Sequence, residues 1–164
     1  MSEPVWLPAL VLMGNHGGNW GRYLDAVYAV FRRDFIESTA MFRGEAVRIG
    51  SEVIDGKERT FWHVTSEGDV EANRTPDLRR CERIAWVRAL IDHEKDSMVQ
   101  SWPNRRGRNR RHVLWLKQVD FVVVLEKHPG CWWLWTAYLT DRPHTRRSLE
   151  REFEAWQKSQ RRPR

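Results

Sequence analysis

The stretch TFWHVTSEG, residues 60–68, sets an ionisable ring between bulky neighbours and reads as a half-buried strand. On a strand spanning residues 59–65, Phe61, His63 and Thr65 share one face, and Trp62 and Val64 the other. His63 then points away from a core built on Trp62 and Val64. Three readings are open for it: a packed side chain, a metal ligand, or one half of an acid–base pair. A second run, CWWLWTAYLT at residues 131–140, alternates in the same way. Its Trp133, Trp135, Ala137 and Leu139 are uniformly apolar and are expected to face the core. Thr136 and Tyr138 are left together on the more open face, beside Trp132 and Leu134. If His63 shares that face, the three polar groups converge on a phosphate.

Such a set suits RNA cleavage without a metal. A base removes the proton of the ribose 2′-OH, which attacks the adjacent phosphate, and an acid protonates the leaving 5′ oxygen. Cationic or hydroxyl donors hold the extra negative charge of the transition state. Histidine can serve either proton transfer near neutral pH, tyrosine can donate to a phosphate oxygen, and arginine supplies a permanent bidentate cation. Arginines are at hand. Arg79, Arg80 and Arg83 lie close together on one helix and read either as a solvated face or as a phosphate contact. Residues 101–118 carry Arg105, Arg106, Arg108, Arg110, Arg111 and Lys117 with no acidic residue. A run free of acids is a poor candidate for simple salt-bridging and a better one for nucleic acid.

The elements that must position these residues follow from periodicity. Leu24, Val27, Phe31 and Phe35 form one face of a helix over residues 22–38. Asp55 and Gly56 mark a hairpin turn inside a β-rich region over residues 46–65. Thr75, Pro76 and Asp77 open a helix with an N-cap hydroxyl, a first-turn proline and an early carboxylate. Leu78, Cys81, Ile84, Val87 and Ile91 are its apolar stripe, and its end is expected at residues 92–96. Strands over residues 111–118, 120–127 and 131–140, joined by short links, predict an antiparallel meander. Residues 98–102 are a possible fourth strand and residues 103–110 a polar loop at the sheet edge. A last helix over residues 144–158 carries Leu149, Phe153 and Trp156. The expected fold is α+β: an antiparallel sheet of four or more strands with helices on one face. A single domain over residues 22–158 follows an N-terminal lead-in, residues 1–21, of which the glycine-rich residues 14–21 read as flexible, and ends in a basic tail, residues 159–164.

Composition narrows the function classes. The chain has 164 residues, 41% of them apolar and ten of them tryptophan, enough for one well-packed domain and too patterned for disorder. Its net charge of +6 favours polyanionic partners. Cys81 and Cys131 form no metal-binding or disulfide pattern, and the other histidines, His16, His93, His112, His128 and His144, show no metal-ligand spacing. The glycine-rich GNHGGNWG at residues 14–21 lacks the lysine and spacing of a phosphate loop. No apolar run approaches the roughly 20 residues of a membrane span. No metal, cofactor or membrane partner is expected, and the cytoplasm is the expected location.

Taken together, FWHVTSEG, RRCERIAW and the DFVVVL and WTAY strands resemble the barnase–EndoU–colicin–RelE superfamily, the BECR fold, in its phage- and plasmid-borne branches. The resemblance spans residues 22–156. It implies a metal-independent ribonuclease, often a toxin or mobile-element effector, with helices packed on a sheet whose open face binds RNA. Carried over by motif, His63 is the general acid or base, Thr136 and Tyr138 contact the scissile phosphate, and Arg80 or Arg83 stabilises charge. Several branches use a sheet lysine, for which Lys117 is the candidate. RNA and a cognate antitoxin or immunity protein are the implied partners. The alternative is a non-catalytic RNA-binding or protein-interaction module of the same fold.

Overall fold

Residues 121–126, FVVVLE, are buried without interruption, so both faces of this strand are covered. The rest of the architecture follows from that demand. The computed structural model describes residues 2–68, 70 and 73–161. Four long strands, β7 (Gln100–Arg106), β8 (Asn109–Leu116), β9 (Phe121–His128) and β10 (Cys131–Leu139), form the expected antiparallel meander. On the far edge of β10, β2 (Glu45–Arg48) pairs in parallel, and β1 (Ala40–Phe42) pairs antiparallel with β2. The sheet order is β1-β2-β10-β9-β8-β7. The parallel pair joins segments with most of the other elements between them, as a crossover connection requires.

One sheet face packs on α1 (Trp20–Phe35) and α4 (Ile84–Asp92). Phe121, Val123, Leu125, Leu114, Leu134 and Ala137 meet Val27, Phe31, Val87 and Ile91 in the main core. The opposite face packs on α5 (Pro143–Arg161), where Leu149, Phe153 and Trp156 cover Trp102, Val113, Trp115, Val122 and Val124. Helices on a single face, the expectation from sequence, are therefore corrected to helices on both. A central strand with Val122 and Val124 on its second face leaves about 1.5–3 kcal/mol of burial per side chain unrealised unless something covers it. The amphipathic α5 supplies that cover.

Residues 59–65 are not a strand. They form α2 (Arg59–Thr65), which buries Phe61, Val64 and Thr65, the i, i+3, i+4 positions of a helix. Trp62 is half-buried and donates from its indole to the Ile54 carbonyl at 2.7 Å. The Asp55–Gly56 turn is present, joining β3 (Val53–Ile54) to β4 (Lys57–Glu58), with φ of +49° and +78° at the two turn residues. Both values are positive, as a two-residue hairpin of this hand demands. The returning chain goes straight into α2 because β4 is only two residues long.

Further expectations change in detail. Asp77, not Thr75, caps α3 (Leu78–Glu82), accepting from the Arg79 and Arg80 amides, while Thr75 and Pro76 form β6 against β5 (Ser66–Glu67). The expected single helix breaks at Arg83 into α3 and α4, and its first apolar position, Leu78, is exposed. Residues 103–110 are no loop but the arms of a β7–β8 hairpin that turns at Gly107 and Arg108. The N-terminal residues 6–13 pack against the main core. Trp6 stacks on His93 at 4.3 Å and donates to Asp96 at 3.0 Å, and the Trp86 indole donates to the Pro8 carbonyl at 2.8 Å. The far end of the basic tail, residues 162–164, lies outside the described residues. Among the described residues no helix is long and apolar enough to cross a membrane.

His112 sits in the core between Phe42 and Trp132, with its Nε2 2.6 Å from Ser101 Oγ. Burial, and then Arg43, pushes its imidazole from 6.5 down to about 3. Between these values the unfolded chain takes up a proton that the folded chain refuses. Its contribution to stability is therefore fully present above pH 6.5 and is lost as the pH falls towards 3. The slope reaches about 1.4 kcal/mol per pH unit. Urea unfolding at a series of pH values should show a flatter acid limb for His112→Leu than for the wild type; parallel limbs would contradict the assignment.

Candidate nucleic-acid interface and catalytic cluster

The site is built on β10, whose register against β9 shifts between Leu134 and Thr136. Trp135 is the extra residue of this bulge, and it reverses the parity of the strand. Before it, Trp132 and Leu134 face the main core; after it, Ala137 and Leu139 do. Trp133 pairs across from Glu126, Thr136 from Val124 and Tyr138 from Val122, on the α5 side of the sheet. The expected apolar set of Trp133, Trp135, Ala137 and Leu139 is thus corrected. Trp135 is 38% exposed, not core. The expected pairing of Thr136 with Tyr138 on one face is found.

His63 reaches this strand from α2, not from a neighbouring strand. Thr136 Oγ1 donates to the His63 carbonyl at 3.3 Å. Arg80 Nη1 donates to the same carbonyl at 3.5 Å and to the Ser66 carbonyl at 2.5 Å, and Arg74 Nη2 reaches both at 3.3 and 2.6 Å. These carbonyls end α2 without intrahelical partners, so cations and hydroxyls gather on them. The His63 ring lies edge-on to Trp135, 6.3 Å between centroids. It lines a cavity of about 250 Å³ with Gly50, Thr60, Trp133, Trp135 and the ion pair of Arg59 with Glu52.

Tyr138 opens into a second cavity of about 200 Å³, shared with Arg79, Arg80, Arg142, Thr145 and the carboxylates of Glu67, Asp77 and Asp141. Thr136 stands between the two cavities along the strand. His63, Arg80, Thr136 and Tyr138 therefore gather around one stretch of β10, with the His63 ring and the Tyr138 hydroxyl on opposite sides of Thr136. Burial, then Glu152, raises the Tyr138 pKa against the opposing pull of Arg106 and Arg80, so the phenol stays a neutral donor. Burial lowers the pKa of Arg80 despite nearby Asp77 and Glu67. Its Nε finds no hydrogen bond among the described residues and stands 3.7 Å from Asp77 Oδ2.

Arg83 and Lys117 are placed elsewhere. Arg83 donates to the Arg79 carbonyl at 3.0 Å, and its guanidinium lies over Trp86 at 5.1 Å. Lys117 leaves the end of β8 in a 3-10 turn, pairs with Glu150 at 3.1 Å and lines a different cavity beside α5. Arg105, Arg106, Arg108 and Arg110 are exposed at the tip of the β7–β8 hairpin, with no ion pair among the described residues. Gly107 at φ +62° takes the one turn position closed to most side chains.

Arg111 behaves differently from its neighbours and reveals a group not anticipated from the sequence. Directly across from it, the buried Glu126 accepts from Arg111 Nε at 3.0 Å and lies 3.1 Å from His128 Nε2. The Arg111 guanidinium covers Trp135 at 4.5 Å, and the His128 ring stacks on Trp133 at 4.8 Å. A carboxylate ending the apolar run FVVVL was the available signal, since a buried acid needs a cation opposite it. Among the described residues no group of three His, Cys, Asp or Glu side chains is placed to hold a metal ion. No protein-family model, curated protein or solved structure matches this chain.

Glu126 is only 7% exposed and meets Arg111 and His128 at once. Glu126→Gln should lower stability by about 1–3 kcal/mol, the range for losing charge-assisted hydrogen bonds. The tryptophan emission should shift as Arg111 leaves Trp135. A urea midpoint and spectrum equal to wild type would show that the three groups are not coupled.

Proposed function

We propose that the protein is a metal-independent ribonuclease that draws an RNA strand along the α5-side face of β10. The observation that carries this reading is the gathering of His63, Arg80, Thr136 and Tyr138 around one stretch of that strand. Four exposed arginines extend from the same sheet. In the reaction, the 2′ oxygen forms a bond to phosphorus and the bond to the 5′ oxygen breaks, giving a cyclic phosphate and a free 5′ hydroxyl. His63 serves one of the two proton transfers, at the 2′ oxygen or the 5′ oxygen. Arg80 and the neutral hydroxyl of Tyr138 donate to the non-bridging phosphate oxygens as charge builds on them. Thr136 acts indirectly, fixing the α2 carbonyl that carries His63 against the strand. The motifs FWHVTSEG and WTAY support the same chemistry through their resemblance to the BECR superfamily. With that resemblance comes the role of a toxin or mobile-element effector restrained by an antitoxin or immunity protein.

One observation favours a second reading. The His63 ring and the Tyr138 hydroxyl open into different cavities, which suits a module that binds RNA without cutting it. A single experiment separates the two. Purified protein incubated with single-stranded RNA in EDTA should cleave it. His63→Ala should lower the rate by about 10²–10⁴-fold, and Tyr138→Phe by up to about 10²–10³-fold, the effect of one lost oxyanion donor. No cleavage by the wild type, or cleavage indifferent to His63, removes the catalytic reading.

The hairpin makes its own prediction. Replacing Arg105, Arg106, Arg108 and Arg110 together by alanine should reduce the slope of log K against log salt by up to about 3, since each phosphate contact on a single strand contributes about 0.7. An unchanged slope would show that the hairpin does not touch the backbone.

A further inference from the structure

Both tryptophans lining the His63 cavity are held from outside by one buried carboxylate. Glu126 takes Arg111 with one oxygen and His128 with the other, and these lie against Trp135 and Trp133 respectively. The far wall is Gly50, where an added Cβ would stand 3.3 Å from the Trp133 ring. The absent side chain leaves the ring open to its neighbour.

A cavity of about 250 Å³ falls below the roughly 300–1,000 Å³ usual for whole small-molecule ligands, and so suits a single planar ring. Arg59 lines it in an ion pair with Glu52 at 3.1 Å, and the Arg111 guanidinium lies over Trp135, so a ring entering here meets guanidinium planes as well as indoles. Aromatic faces and guanidinium planes are what unpaired bases stack on, and a base inside a duplex cannot reach them. We propose that this cavity is a subsite for one unpaired nucleobase of a single-stranded RNA, stacked on Trp135 with its phosphate towards Arg59 and His63. The subsite rests on the ribonuclease reading for its place beside the scissile bond. It adds to that reading a requirement for a single strand, with the base next to the cut turned out of any stack.

The test uses the full chain and 2′-O-methyl RNA, which has no attacking hydroxyl and stays intact. A labelled single strand and the same strand annealed to its complement are titrated at fixed salt and followed by fluorescence anisotropy. Trp135→Ala should weaken single-strand binding about 5- to 150-fold, the effect of losing one base–aromatic stack, and leave duplex binding unchanged. Trp135→Phe should keep most of the affinity. Gly50→Val, which crowds Trp133 without removing an aromatic, should weaken the single strand in the same way. Trp135 lies at the surface, so its replacement leaves the core intact.

Equal single-strand affinity for Trp135→Ala and wild type overturns the subsite, as does an equal loss on single strand and duplex. The outcome is separable from that for catalysis. His63-dependent cleavage of ordinary RNA with no role for Trp135 leaves the ribonuclease reading and removes the subsite. Trp135-dependent binding with no cleavage does the reverse.

Discussion

Inserting Trp135 between Leu134 and Thr136 reverses the parity of β10, and both core and site depend on that reversal. Strict alternation from Trp133 onward would carry Trp135, Ala137 and Leu139 inward together and leave Leu134 outside. With the bulge, Leu134 and Ala137 both enter the main core, and Trp135 is extruded. A bulge leaves one residue out of the ladder and increases the local twist. Here the residue left out is the one that meets His63 and Arg111. The chain accepts a gap in its backbone pairing, and the site gains an aromatic surface that a regular strand would have buried.

That exposed ring is held by electrostatics as much as by packing. Glu126 ends an apolar strand, and a carboxylate so little exposed is costly unless polar partners meet it. Arg111 and His128 do so from the partner strand and from two residues further along β9. Because both partners are also planar, satisfying the carboxylate places two flat groups on two tryptophans. The hairpin tip shows the contrast. Arg105, Arg106, Arg108 and Arg110 have no ion pair among the described residues and remain exposed to solvent.

The elements legible in the sequence were those with long or distinctive signals: α1, the three-strand meander, α5, and the Asp55–Gly56 turn. Residues 59–65 were not, because seven residues do not separate a period of 2 from one of 3.6. Phe61 is buried on either reading, and only the burial of Val64 with Thr65 marks the helix. The β7–β8 hairpin was hidden by its arginines, which read as a loop but suit an edge strand whose charges keep other strands from pairing with it. The bulge in β10 and the parallel pairing of β2 with β10 leave no local trace. Both are set by contacts across the fold. For the site, the residue types at His63, Thr136, Tyr138 and Arg80 were legible and their geometry was not. Lys117 was drawn in by strand alternation that stops one residue before it.

The position of α5 explains why the polar chemistry is confined to one part of the sheet. Its stripe of Leu149, Phe153 and Trp156 covers Trp102, Trp115 and Val122, and Arg146 pairs with Asp120 to fix the helix against the β8–β9 turn. Asp120 also accepts from Thr140, which in turn accepts from the buried Trp115 indole at 3.0 Å, so the clamp ties β8, β9 and the end of β10 to the helix. Tyr138 lies at the margin of this cover, with its ring in the second core and its cavity lined by Arg142 and Thr145 at the start of α5. Beyond it, Thr136, Trp135 and Trp133 run out along the uncovered end of the face towards the arginine hairpin. A ligand on this face is therefore met in order by a neutral phenol beside a half-buried arginine, a threonine fixed to α2, and two tryptophans backed by Arg111 and His128. The second hydrophobic core determines where that sequence begins, and Glu126 determines where it ends.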